Sequence, residues 1–258
     1  MKRIRNTILT FLLISFYLLF SYYYFNGWWF SSIGTALILL FSYLLWGKET
    51  LRVTGTKISF KIFMKTIALA IVIVCGSILL IQHIGHQHQV AIHFTNCRNY
   101  YHDIFYILNE EIILGGIPLY FLIRKGKIDS LLATAALALF FAAGHFIFYR
   151  WIFLQRGMLG FTTLVTIFLI GFVRNSLIVI NGHIGYSWAL HFGWMMVMFG
   201  NRLYHVGTNI SLTEPERFNM FLGSPEMVSI SLVLAVVSFI YLTGRDESVR
   251  RKKSANVE

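Results

Sequence analysis

Charge is scarce in this chain. Only 13% of its 258 residues are Asp, Glu, Lys or Arg and 57% are hydrophobic, which excludes an ordinary soluble domain. There are two cysteines, Cys75 inside an apolar run and Cys97 between two such runs. Their different depths exclude a disulfide framework. Proline occurs three times, and no stretch rich in proline, glycine or serine marks a linker. The chain therefore reads as one helical domain, 1–243, followed by a polar, basic and mobile tail, 244–258. No internal repeat is visible, which weakens a transporter assembled from duplicated halves.

Long apolar runs are abundant. About eight approach the length needed to cross ~30 Å of hydrocarbon: Ile8–Phe25, Trp28–Trp46, Thr66–Gln82, Ile104–Ile123, Ser130–Tyr149, Gly157–Val173, Ile184–Phe199 and Met227–Leu242. The expected fold is all-α, a bundle of about eight transmembrane helices. Lys2, Arg3 and Arg5 precede the first run like the start of a signal peptide. No small-residue cleavage site follows, and Tyr22-Tyr23-Tyr24 resembles an interface belt, so this run is expected to stay as a span.

The net charge of +11 has a pattern. With the N-terminus inside, most basic residues fall on the inner side, in the groups Lys2–Arg5, Lys48–Lys65, Arg124–Lys127, Arg174 and Arg245–Lys253. Arg98, Arg150, Arg156, Arg202 and Arg217 fall outside. That bias orients a multi-pass protein and meets anionic lipid, and it leaves nucleic acid without a role. The expected location is the cytoplasmic (inner) membrane, with both termini cytoplasmic.

Against this background two acids stand out. Asn109-Glu110-Glu111-Ile112-Ile113-Leu114-Gly115-Gly116 lies within the run Ile104–Ile123. An ionised carboxylate in hydrocarbon costs roughly 2.5–3.5 kcal/mol on insertion scales, and such groups face a functional interior. Two later runs carry His145 and His191, and the alternating topology brings all four groups to a similar depth, toward the outer face. Adjacent helical residues differ by about 100°, so one glutamate addresses a cavity while the other reaches a neighbouring helix. A desolvated carboxylate suits a general base holding water, and a histidine from another helix suits a developing oxyanion. The alternative is a set of hydrogen bonds that only lock helices together.

Glu110-Glu111, Phe141-Ala142-Ala143-Gly144-His145 and Ser187-Trp188-Ala189-Leu190-His191-Phe192-Gly193-Trp194 resemble, in order and spacing, the motifs of the CPBP family. These are the CAAX-protease and bacteriocin-processing (Abi) intramembrane proteins, whose motifs are EExxxR, FxxxH and HxxxN on three helices of an eight-helix bundle. The resemblance covers about Ile104 to Phe199. It implies an endopeptidase in which Glu110 activates water with help from His145, Glu111 supports the site, and His191 helps form the oxyanion pocket. It implies no cofactor and no metal, and a membrane-anchored protein or peptide as substrate. Two positions depart from the pattern: Gly115 stands where the arginine is expected and Met195 where the asparagine is expected. Glu111 is then either protonated or paired with Arg150 or Arg174, and one oxyanion donor is missing.

His83, His86, His88, His93 and His102 form a second cluster, with Cys97 and Asp103 nearby. Transition-metal binding, pH sensing and a plain solvated loop all fit such a cluster. His183, just ahead of the seventh run, reads as a cap or loop group, while Trp188 and Trp194 flank His191 and shape its pocket. Two rival functions remain beside the protease: a degraded scaffold or immunity-type membrane protein, and a proton-coupled transporter using Glu110, Glu111 and His145 as a relay.

Overall fold

The computed structural model describes residues 5, 6, 9 and 12, then 28–54, 58–94, 100–147, 159–208 and 210–254. The first expected span, Ile8–Phe25, lies outside the described residues except for Leu9 and Leu12, and Cys97, Arg98, Arg150, Trp151 and Arg156 lie outside them too.

Helix α1 is Trp28–Trp46 and α2 is Lys48–Val53, separated by Gly47 at φ +68°, a left-handed value that glycine adopts without strain. Helix α3, Phe60–Gln87, begins at Ser59, whose hydroxyl accepts from the Ile62 N–H at 3.3 Å. Strand β1 is Val90–Phe94. Helix α4 covers 100–125 and contains two wider π turns, Ile112–Gly116 and Phe121–Lys125. Helix α5 is Ser130–Ile147, opened by Asp129 Oδ1 accepting from the Leu131 N–H at 2.9 Å. Helices α6, Phe161–Asn181, and α7, Gly185–Phe199, follow. Strand β2 is Asn201–His205, α8 spans 214–222, and α9 is Pro225–Ser254.

Among the described residues the fold is all-α apart from one antiparallel strand pair, β1 with β2, in the register Val90↔His205 to Phe94↔Asn201. Four segments among the described residues are long and apolar enough to cross a membrane: Phe60–Gln87, Ile104–Lys125, Phe161–Asn181 and Pro225–Arg245. Ser32–Trp46 and Ser130–His145 are shorter apolar helices. Helices α3 and α9 present apolar side chains outward, with Val72, Leu79, Val233 and Ile240 all exposed. That is the surface of a multi-pass membrane protein.

Helix α7 behaves differently. Its 15 residues fall short of the ~20 that a span needs, and none of them is exposed. It packs against α3, α4 and α6 and so forms the enclosed element of the bundle. The run Ile184–Phe199 is thus an inner helix, with every residue buried or partly buried.

The sixth run also departs from expectation. It was expected to stop at Val173, leaving Arg174 among the inner-side charges. Instead α6 continues through Arg174 and Asn175 to Asn181, and ends where Gly182 takes φ +73°. The Gly182 N–H donates to Ile178 O at 2.8 Å, closing the helix. Arg174 and Asn175 are therefore buried inside the bundle. Helix α9 runs on through Gly244 to Ser254.

Candidate active site

Glu111 is fully buried, and three side chains hold it. The Ser187 hydroxyl donates to its Oε2, His191 Nδ1 lies 2.9 Å from Oε1, and Arg174 Nη1 lies 3.4 Å from Oε1. Ser187 precedes His191 by one helical turn, so α7 presents both to the same carboxylate. With Nδ1–H directed at Glu111, the neutral imidazole keeps its acceptor at Nε2. Glu110 points elsewhere, as a 100° step requires. Its side chain keeps 17% exposure, and its Oε2 stands 3.8 Å from His191 Nε2. One imidazole thus sits between two carboxylates, one clamped and one accessible.

The arginine reaches Glu111 because of how α4 is built. Pro118 has no N–H to give to Leu114 O, the acceptor four residues earlier, so that carbonyl has no α-helical donor. The π turn Ile112–Gly116 widens the helix at this point. Arg174 Nη2 donates to Leu114 O at 3.2 Å. Gly115 then allows the close crossing of α4 and α6. A Cβ at position 115 would stand 2.7 Å from Ile178 Cδ1 and 3.7 Å from Arg174 Nη2. Of the two arginines considered for Glu111, Arg174 is its partner here, and Arg150 is outside the described residues.

Helix α5 brings His145, whose Nδ1–H donates to Phe141 O at 2.8 Å. The Phe141 ring joins the cluster: its centroid lies 4.7 Å from the His145 ring, 6.0 Å from the His191 ring and 4.0 Å from Arg174 Cζ. That last contact places a guanidinium over an aromatic face. Asn175 Nδ2 donates to Thr134 O at 3.2 Å and ties α6 to α5 beneath the site. The four residues expected from the sequence, Glu110, Glu111, His145 and His191, are therefore brought together. Ser187 and Phe141 had no assigned role. Ser187 could have been found from its one-turn spacing to His191, whereas Phe141 opens the Phe141–His145 motif in the sequence, and its three neighbours in space give it a role.

His145, Arg174, His191, Trp194 and Met195 also line a cavity of about 330 Å³ between α3 and α9. His83, His86, His88 and His93 do not join the site, and the His102 side chain lies outside what the structure describes. His83 and His86 belong to the last turns of α3, where His83 Nε2 stands 3.8 Å from Glu226 Oε1. His88 caps that helix, so this part of the cluster is helical where a loop was expected. His93 packs on the Tyr204 ring at 5.4 Å. Among the described residues, no three His, Cys, Asp or Glu side chains gather to hold a metal ion. His183 is a cap, its Nδ1 accepting from the Gly185 N–H at 3.1 Å, and burial pushes its pKa below 6.5. No family model, curated protein or solved structure matches this chain.

Proposed function

We propose that this chain is an intramembrane endopeptidase of the CPBP type, embedded as a bundle of about eight helices with its basic end on the cytoplasmic side of the inner membrane. The observation that carries this reading is the division of labour between the two glutamates around His191. Glu111 is immobilised by Ser187, His191 and Arg174, while Glu110 shares the other face of the imidazole and keeps access. Arg174 also supplies from α6 the positive charge that the Gly115 position leaves out of α4.

In this mechanism Glu110 takes a proton from a water molecule whose oxygen attacks the scissile carbonyl carbon. With both ring nitrogens protonated, His191 and His145 each carry an Nε2–H that stabilises the oxyanion that forms. Collapse of the tetrahedral intermediate breaks the C–N bond, and the proton held by Glu110 passes to the leaving amine. The products are one carboxylate and one amine, with no cofactor consumed. The substrate in this reading is a membrane-anchored protein or peptide.

The test compares peptide termini of membrane and exported proteins in cells expressing the parent or Glu110→Gln at equal level. Particular precursors should accumulate uncleaved in the mutant, with at least a ~100-fold loss of cleavage rate. Indistinguishable termini would refute the proposal.

A further inference from the structure

The 330 Å³ cavity beside the site has a composition of its own. Its volume falls within the range of ligand pockets. Val72 and Gly76 of α3 form one side of its mouth, and Ile230 and Leu234 of α9 the other. Val72 is 64% exposed and Ile230 42%, so the mouth faces whatever surrounds the bundle, which for this surface is lipid. Apart from Ser77, the polar groups on its walls are His145, Arg174, His191 and Trp194.

Two of these side chains carry donors with no hydrogen-bond acceptor among the described residues. Arg174 Nε and Nη1 and Trp194 Nε1 are buried and make no hydrogen bond, although Nη1 has Glu111 as a charge partner at 3.4 Å. A buried donor left unpaired costs about 1–3 kcal/mol, and a buried indole N–H normally finds an acceptor. Neither a guanidinium nor an indole N–H can accept, so the matching group must bring an oxygen acceptor. Water satisfies one such donor, but an acceptor that enters through the apolar, lipid-facing mouth arrives on an apolar chain. Met195 on the same wall offers no donor, and Trp194 stands next to it.

We infer that this cavity seats an apolar, membrane-embedded stretch of polypeptide that enters between α3 and α9, with a main-chain carbonyl accepting from Trp194 Nε1 and Arg174. The inference rests on the endopeptidase reading, and it adds the entry route, the chemical class of the substrate segment and the donors that orient it. A fatty acyl carboxylate carries the same acceptor on an apolar chain, so the test separates the two sources.

The experiment uses full-length protein in lipid nanodiscs, with Glu110→Gln as the common background so that bound peptide persists. One probe is a leucine–alanine transmembrane peptide bearing a diazirine leucine, and the other is a diazirine hexadecanoic acid. Labelled positions are mapped by mass spectrometry. The peptide should label the α3 and α9 walls near Gly76 and Ile230. Trp194→Phe, which keeps an aromatic ring but loses the donor, should cut sub-saturating labelling about three- to tenfold, the weight of one neutral hydrogen bond. Adding Met195→Asn should restore part of it, and an unchanged melting temperature should show that the fold is intact. The inference is overturned by peptide labelling that misses these walls, by labelling indifferent to Trp194→Phe, or by labelling with the fatty acid alone. Wall labelling combined with identical cellular termini would sink the endopeptidase reading and keep the pocket. Cleaved precursors without wall labelling would do the reverse.

Discussion

Two arginines of this protein reach for backbone carbonyls at opposite kinds of site. Arg174 donates to Leu114 O within the bundle, is 1% exposed, and balances a carboxylate that is 0% exposed. Arg245 is exposed and donates to Val179 O and, at 2.6 Å, to Ile180 O, the last carbonyls of α6. It lines a cavity of about 860 Å³ together with Glu49, Arg124, Lys125 and Lys127. There Lys125 Nζ lies 3.5 Å from Glu49 Oε2 and 5.4 Å from the Tyr120 ring centroid. The same bond type thus carries different weight in the two places. Water and lipid headgroups can replace the partners of Arg245, but nothing can replace those of Arg174. Burial, rather than the number of contacts, sets what each arginine is worth.

The sharpest way to break this contrast is to remove the buried cation. Arg174→Met should destabilise the protein by about 3–5 kcal/mol, because Glu111 is left charged and unpaired in the interior. Adding Glu111→Leu should recover most of that loss, since both charges are then gone. Thermal unfolding in nanodiscs measures both, and a single mutant within ~1 kcal/mol of the parent would contradict the comparison. Next in size is the crossing that admits Arg174. Gly115→Ala places a methyl 2.7 Å from Ile178 Cδ1 and should cost about 1–3 kcal/mol. Ile178→Val lacks that carbon and should relieve most of the cost in the double mutant.

A smaller effect belongs to His183. Burial lowers its folded pKa, so the unfolded state binds the proton more readily. Stability should therefore be full above the unfolded value near 6.5 and decline as pH falls through it toward the lowered folded value. Protonation also removes the acceptor used by the Gly185 N–H. Melting temperatures at pH 7.5 and 5.5 should differ less for His183→Asn than for the parent. The smallest effect is expected at the exposed arginine. Arg245→Ala should cost under ~1 kcal/mol, typical of a cation at a helix C-terminus. A loss comparable to that of Arg174→Met would erase the distinction between the two regions.

Much of the candidate site was legible before folding. Glu110, Glu111, His145 and His191 are conspicuous because ionisable groups in apolar runs are rare, and the alternation expected of the runs puts them at one depth. Arg174 was harder to place. It sits where a hydropathy reading ends the sixth run, so a charge inside a helix and a charge beyond its end look alike. Only Gly182, with its left-handed backbone, marks the real terminus. Ser187 is an ordinary helical residue by sequence, and Phe141 stands out there only as the first residue of the Phe141–His145 motif. What makes them matter is that α4, α5, α6 and α7 converge on them.

By itself the sequence determined the membrane class, the approximate positions of the described helices and the polar residues that cannot face lipid. Those are local properties, set by hydropathy over one run and by the 3.6-residue period. Tertiary structure alone decided that Arg174 answers Glu111, that α7 is an enclosed helix, and that Gly115 is the crossing point of α4 and α6. Each depends on which distant helices meet and on how completely their contact excludes water. A buried ion pair is governed by distance and local dielectric, and neither quantity exists until the helices pack.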